Sequence, residues 1–440
     1  MRYLFLTLPI ALTVAGCATA ATELPRATTS TVASATTASV SAEPVSPPTA
    51  VMNASASTLM DGLPVEQRFV MWQADFTARA LTKGYSPQLL ADTVGRAQMN
   101  ERALERDSSQ PEFTRPVWAY INSAANPDRI RNGQAEMAEH KAEFDDIERI
   151  YGVPRQILTA IWGLESAYGK ILGTHDIIDS LSTFAFEGRR TNFGETQLFA
   201  TLDLIQSGAV RIDQLKGSWA GAMGMTQFIP STFRDYAVDF DRNGNTDLWG
   251  SEADALASAA NYLTRSGWKV GQPVMSEVIL PNDFDYSASE TVRKPVSEWV
   301  AMGVMPANGM MYSPAASALD AKLLAPAGHR GPKFLTFRNF DAIKKYNNST
   351  SYVMGISSLG DALVGETAIR NPWPESDTPI SFEDKKAMQV RLTAMGYDTQ
   401  GVDGMIGPAT RRAIRAWQSA NGVPADGYVE QTLFRRIMGQ

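Results

Sequence analysis

A single cysteine in 440 residues leaves no material for a disulfide framework or a Cys-rich zinc or iron–sulfur site. Histidine is almost as scarce. His140, His175 and His329 lie far apart and match no HExxH spacing, which argues against a zinc hydrolase. Basic charge is not in excess, because 40 Lys+Arg against 47 Asp+Glu leave a net charge of −7. A nucleic-acid partner is therefore not expected, since it needs a basic face to neutralise phosphates. Beyond the first twenty residues no stretch is long and apolar enough to cross a bilayer. What is present is an ordinary globular mixture, 44% hydrophobic and 20% charged, in a chain too long for one compact core.

The opening, MRYLFLTLPIALTVAGCATA, sets a positive Arg2 before an apolar run from Leu4 to Val14. That run has the length of a secretory signal core and is too short for a mature transmembrane helix. Val14-Ala15-Gly16-Cys17 resembles the lipobox of bacterial lipoproteins, and the chain's one cysteine occupies the position that is lipidated in that family. Ala18 after the cysteine resembles signals sent on to the outer membrane. The resemblance implies a lipoprotein anchored at the periplasmic face of the outer membrane. An ordinary secretory signal is the alternative.

Composition divides the remainder. Residues 18–60 are rich in Ala, Thr, Ser and Pro, poor in aromatics, and read as a flexible tether behind a 1–17 signal. Globular sequence runs over 61–370, a Pro-rich hinge over 371–380, and a small separate module over 381–440. Helical spacing over Phe69 to Lys83, Ala135 to Tyr151 and Ala253 to Arg265 predicts a mainly α, α+β protein. Pro273 to Leu280 is the best strand.

The densest chemistry lies in Val153 to Gly169, where Pro154 suits a helix start and Gly169 a stop. Ile157, Ile161, Leu164 and Tyr168 form one apolar stripe, and Glu165 falls on it. Desolvation there raises a carboxyl pKa, which is what a general acid at neutral pH requires. Pairing of Glu165 with Arg189 or Arg190 is the other reading of a buried glutamate. Downstream, Gly217-Ser-Trp-Ala-Gly-Ala-Met-Gly-Met-Thr-Gln-Phe-Ile-Pro-Ser231 combines close-packed glycines with Ser218 and Gln227, groups suited to neutral polar ligands such as sugars.

Together with Glu165-Ser166, Phe186-Glu-Gly-Arg-Arg190, Ala259-Ala-Asn-Tyr262 and Lys345-Tyr-Asn-Asn-Ser349, this motif order resembles the membrane-bound lytic murein transglycosylase B family over about 62–368. The resemblance implies a lysozyme-like catalytic domain with helical and small β additions, acting on peptidoglycan glycan strands. It implies Glu165 as the single acid/base, with Ser218, Gln227, Tyr262, Tyr346, Asn347 and Tyr352 lining the groove. Arg189 and Arg190 match a basic pair near the groove, and Tyr120 is a less distinctive match. Core packing is the other reading for the tyrosines. The implied reaction cuts the MurNAc–GlcNAc bond and closes a 1,6-anhydro ring without water, needing no catalytic cofactor. A muramidase-type hydrolase and a silent wall-binding scaffold are the alternatives.

Asp239-Phe-Asp-Arg-Asn-Gly-Asn-Thr-Asp247 places oxygen ligands at Asp239, Asp241 and Asn243 with glycine at the sixth position, the start of an EF-hand loop. Position 12 is Gly250 rather than Glu, so Asp254 is the available closing carboxylate. The family resemblance implies an atypical EF-hand holding a structural calcium on Asp239, Asp241, Asn243, Asn245 and Asp254. An ion-free Asx-rich turn is the alternative, and Asp247 is either a ligand or a cap.

Gly401-Val-Asp-Gly-Met-Ile-Gly-Pro-Ala-Thr-Arg411 gives a turn followed by a helix, and Pro424-Ala-Asp-Gly-Tyr-Val-Glu-Gln-Thr-Leu433 repeats the scheme. This resembles the type 1 peptidoglycan-binding domain, a three-helix module, with Leu392, Ile414, Trp417, Leu433 and Ile437 as its core. The surface around Asp403, Gly404 and Thr410 reads equally as binding site or as turn structure. The whole is expected to be a monomer that engages the wall and, through it, cell-wall enzyme complexes.

Overall fold

A computed structural model describes residues 62–101, 103–104, 115–188, 190–367 and 369–440. The 1–17 signal with Cys17, the 18–60 tether and Arg189 lie outside the described residues. The chain is mainly helical, with seven short strands among the described residues.

The segment 62–99 groups as its own unit. Its helix α1 (Val65–Thr82) is followed by α2 (Pro87–Asp92), whose first turn is capped by Ser86. Gln73 ties α1 to the turn beyond, donating to the carbonyls of Val94 and Ala97.

In the larger unit, α3 (Val117–Ala124), α4 (Pro127–Glu139), α5 (Lys141–Tyr151) and α6 (Arg155–Ser166) follow in order. The helix expected over Ala135 to Tyr151 is two helices, broken at His140 with φ −95° and ψ 32°. The apolar spacing runs through the break, so periodicity alone does not reveal it. Helices α7 (Ile177–Phe186) and α8 (Thr191–Gln206) pack together, then α9 (Pro230–Tyr236) and α10 (Glu252–Arg265). Strand β1 (His175–Asp176) pairs antiparallel with β2 (Lys216–Gly217) ahead of the glycine-rich loop.

A five-stranded antiparallel sheet follows, built from β3 (Met275–Ile279), β4 (Arg293–Pro295), β5 (Met305–Pro306), β6 (Asp320–Leu324) and β7 (Lys333–Thr336). Its spatial order is β4-β6-β7-β3-β5. Val278, Trp299, Leu323, Leu335 and Phe337 form its core. The chain then returns through α11 (Arg338–Tyr346) and α12 (Thr350–Leu363), the latter packed on α3 and α6.

Residues 371–380 are held along their length. Buried Glu277 accepts from the backbone N–H of Arg370 and Asn371 and from the Asn371 amide. Trp373 packs against Trp118 and Phe334, and Arg330 bonds Asp377 at 2.7 Å. The last module comprises α13 (Phe382–Ala394), α14 (Pro408–Ala420) and α15 (Gln431–Met438). Its core contains all five residues read from the sequence, Leu392, Ile414, Trp417, Leu433 and Ile437, with Met388 and Phe434.

Candidate active site

Glu165 occupies the last turn of α6, and the chain beyond it makes an uncommon exit. Ala167, Tyr168 and Gly169 all take positive φ, at 51°, 61° and 75°. The helix thus stops before the glycine that marks its end in the sequence. Two non-glycine residues in the left-handed region cost free energy, and packing holds them there. The Tyr168 ring folds back against Trp162 at 5.6 Å, and its hydroxyl donates to the Arg129 carbonyl at 2.7 Å. Gly163 makes room for it: a Cβ there would lie 2.6 Å from the Tyr168 ring.

Every residue of α6 from Ile157 to Ser166 is buried, so the helix has no solvent face, unlike the stripe read from its sequence. Glu165 is only 4% exposed. Its Oε1 accepts a 2.6 Å hydrogen bond from the Tyr352 hydroxyl, while Oε2 is buried without a partner. Burial pushes the carboxyl up to about 8, outweighing the Tyr352 hydrogen bond that favours the ionised form. Among the described residues no arginine neutralises Glu165: Arg190 lies over the rings of Phe184 and Phe193, and Arg189 is outside the described residues. No charged side chain among the described residues contributes to the Glu165 shift. Of the acidic residues nearby in sequence, Asp176 caps α7 and binds Lys216 at 2.9 Å.

Tyr352 sits in the first turn of α12, where Ser349 caps the helix by accepting the Tyr352 N–H. At 2% exposure it reaches the carboxyl rather than solvent. Burial, then the charge of Glu165, raises its own pKa well above the ordinary value. Tyr120 packs beneath, against Gly355 of α12. Tyr346 donates to the Thr226 carbonyl at 2.5 Å and stands 5.1 Å, edge to face, from Tyr262. Phe228 and Tyr236 complete this aromatic wall. Tyr262 is fixed through its hydroxyl to the Lys345 carbonyl, and Asn347, buried just past α11, accepts the Ser349 N–H.

The glycine-rich loop is a tight hairpin, with Met223 and Phe228 exchanging both backbone bonds. Ser218 is half-buried and its Oγ accepts the Ala222 N–H. Gln227, at φ 50°, donates its amide to the carbonyls of Leu172 and Gly224, binding the loop to the segment that leaves α6. Thr226, absent from the sequence reading, has a buried hydroxyl without a partner beside the carbonyl that holds Tyr346. No motif signal singles it out from the residues around it.

At the acidic loop, carboxylate oxygens of Asp239, Asp241 and Asp254 lie within 4.8 Å of one another. Asp254 reaches the cluster despite the irregular spacing and accepts the N–H groups of Phe240, Asp241 and Asp247. Asn243 bonds both Asp239 and Asp241 through its N–H, and its own Oδ1 accepts from Asn245. Asp247 instead closes a turn by accepting from Trp249 and Gly250, and Ser251 caps α10. Three clustered carboxylates with amide oxygens beside them are a hard-oxygen donor set that fits calcium.

The match to known proteins covers the chain from α1 onward. A model of the transglycosylase SLT domain matches residues 68–361, and one of the peptidoglycan-binding domain matches 383–437. Membrane-bound lytic murein transglycosylase B of Escherichia coli K12 is 30% identical over 295 residues, 64% of this chain and 79% of that protein. SltB3 of Pseudomonas aeruginosa, solved with NAG-NAM-pentapeptide, is 47% identical over 84% of this chain and 99% of that one, with TM-score 0.81. Slt35 of Escherichia coli, solved with calcium, is 29% identical over 67% of this chain and 92% of that one, with TM-score 0.58. The transglycosylase model spans more than half of the chain and the Escherichia coli relative is matched over most of its own length, which settles the family: the chain belongs to the membrane-bound lytic murein transglycosylases B and is a peptidoglycan lytic transglycosylase with a C-terminal peptidoglycan-binding domain.

Proposed function

We propose that Glu165 alone supplies both proton transfers of the lytic cut. Protonated at neutral pH, it donates to the oxygen joining N-acetylmuramic acid to N-acetylglucosamine, and that C1–O bond breaks. The substrate's 2-acetamido group stabilises the positive centre at C1, as in substrate-assisted glycosidases. The Glu165 carboxylate then takes the proton from the muramic C6 hydroxyl, whose oxygen closes on C1. The carboxyl ends as it began, and the product carries a 1,6-anhydro ring. Closure within one sugar gains from proximity. The observation that carries this reading is the isolated, buried Glu165 carboxyl with its raised pKa.

Tyr352 orients Glu165, and the wall of Tyr262, Tyr346 and Phe228 with Ser218, Gln227 and Asn347 frames the glycan. Tyr120, Arg189 and Arg190 are assigned to the edges of that groove. Asp239, Asp241, Asn243, Asn245 and Asp254 would hold a calcium ion, whose charge offsets the clustered carboxylates and ties the loop to α10. The Val14-Ala-Gly-Cys17 motif supports lipidation at Cys17 and anchoring to the outer membrane's periplasmic face, with 18–60 as the tether. The C-terminal module keeps the enzyme at its substrate by raising local concentration.

The test is digestion of purified murein by the chain lacking residues 1–17 beside its Glu165→Gln variant, with sugar termini identified by mass. Anhydro-muramic ends from the parent alone support the assignment. Reducing ends would make the reaction a hydrolysis, and cutting by the variant would remove Glu165 from the chemistry.

A further inference from the structure

The C-terminal module builds the same turn twice. In the first copy Gln389 of α13 donates to Asp403 Oδ1 at 2.8 Å and to the Met405 carbonyl, and its Oε1 accepts the Gly404 N–H at 2.8 Å. In the second, Gln418 of α14 donates to Asp426 Oδ1 at 2.8 Å and to the Tyr428 carbonyl, and its Oε1 accepts the Gly427 N–H at 2.8 Å. Asp403 Oδ1 also accepts from Met405 and Asp426 Oδ1 from Tyr428. In each copy a helix begins five residues after the aspartate, at Pro408 and at Gln431.

The copies differ at the outer carboxylate oxygen. Asp426 Oδ2 is occupied: it accepts the backbone N–H of His329 at 2.8 Å and the imidazole Nδ1–H at 2.7 Å. The proton is assigned to Nδ1 because a carboxylate only accepts. The turn between β6 and β7 is thereby fastened to the module, and Asp426 is only 5% exposed. Asp403 is exposed, and its Oδ2 has no partner among the described residues. Burial opposes ionisation there, but the Gln389 amide and Met405 N–H hold Asp403 below its ordinary value. Beside it, Phe382, Val402 and Met405 present apolar surface, and the Phe382 ring lies where a Cβ on Gly404 would fall, 2.5 Å away. Lys386 lies over one face of the Phe382 ring and is paired with Glu383.

We propose that the two turns divide the work: Asp426 fastens the module to the enzyme, and Asp403 binds the wall by accepting N–H from the free ammonium group of a peptide stem. Phe382, Val402 and Met405 then contact the small apolar side chains of that stem. A carboxylate oxygen that sits where its structural twin accepts two N–H donors is placed for N–H groups, and its negative charge favours a cationic donor and opposes a phosphate. This assignment rests on the reading that the module binds peptidoglycan, and it specifies the part of the wall recognised.

The experiment sediments the Glu165→Gln chain with intact murein sacculi, so that no substrate is consumed, and compares it with Glu165→Gln carrying Asp403→Asn. The asparagine keeps the Oδ1 acceptor that holds the turn. Roughly tenfold weaker binding is expected, the size of a lost charge-assisted hydrogen bond. Acetylating the free amines of the sacculi leaves the protein untouched, and it should weaken the parent equally while adding nothing to the Asp403→Asn loss. Equal binding of parent and variant, or undiminished binding of the parent to acetylated sacculi, overturns the assignment alone. No sedimentation of the parent would sink the wall-binding reading as well.

Discussion

The Tyr352 hydroxyl lies 2.6 Å from Oε1 of Glu165, and among the described residues it is the one hydrogen-bond donor to the buried carboxyl. A lone phenol in an apolar shell is a weak substitute for water, so the carboxyl keeps its proton near neutrality. After that proton is given up, the same hydroxyl is the group that steadies the carboxylate. One contact therefore serves both halves of the proposed cycle.

Removing the contact shifts the pH profile in a definite direction. Donation to Glu165 favours its charged form, so Tyr352→Phe raises the Glu165 pKa. The parent is expected to lose activity above about pH 8, as the acid form disappears. In Tyr352→Phe that limb should move to higher pH while kcat at neutrality falls roughly tenfold or more. A profile measured on soluble glycan fragments checks both. A limb that moves to lower pH would contradict the geometry.

Glu165→Gln should abolish cutting and strengthen the fold. Folded Glu165 holds its proton up to about 8, above its ordinary value. Below the unfolded pKa both states are protonated and the shift has no effect. As pH rises toward the folded pKa the unfolded chain ionises freely and stability drains away. The glutamine removes that drain, so its stabilisation should be small at pH 4 and reach on the order of 3 to 4 kcal/mol at pH 7 to 8. Melting curves at the two pH values measure it, and an equal gain at both would dissociate the effect from protonation.

How much of this was legible without coordinates differs between regions. The burial of Glu165 was readable from its place among Ile157, Ile161 and Leu164, and the C-terminal core from the resemblance of that module to a known three-helix domain. The break at His140 was not, because the apolar period continues across it. Nor was the choice between Arg190 and Tyr352 as the partner of Glu165. They lie 25 and 187 residues away, and only the packing of α12 on α6 decides between them. The duplicated turn was visible as a repeated Asp-Gly, but the difference between its copies arises from His329, in a distant strand connection.

Calcium should stabilise the parent and not a loop variant. Asp239, Asp241 and Asp254 crowd their charges together, and a bound divalent cation is linked to the folded state alone. At a hundredfold excess over Kd the gain is about 2.7 kcal/mol, read as a rise in Tm of several degrees that EDTA reverses. Asp241→Asn should lose most of that response. A Tm indifferent to calcium and EDTA would leave the loop an ion-free turn.

The exit from α6 offers the sharpest structural test, because it links a small side chain to the chemistry. A methyl group on Gly163 would stand 2.6 Å from the Tyr168 ring, which is itself buried and bonded to the Arg129 carbonyl. Tyr168 cannot yield without releasing the left-handed turn that ends the helix one residue after Ser166, beside Glu165. Gly163→Ala should therefore cost about 1–3 kcal/mol, as overpacking does in a filled core. It should also lower kcat more than a change of equal stability cost elsewhere, since the acid is displaced with the turn. Helix propensity alone predicts the opposite, because alanine favours an interior helical position over glycine by about 1 kcal/mol. Gly407→Ala, with open space around its Cβ, is the comparison for an added methyl group without overpacking, its own cost being confined to a weaker helix cap at α14. If Gly163→Ala melts higher than the parent and cuts murein as fast, then Tyr168 is not what holds Glu165 in place.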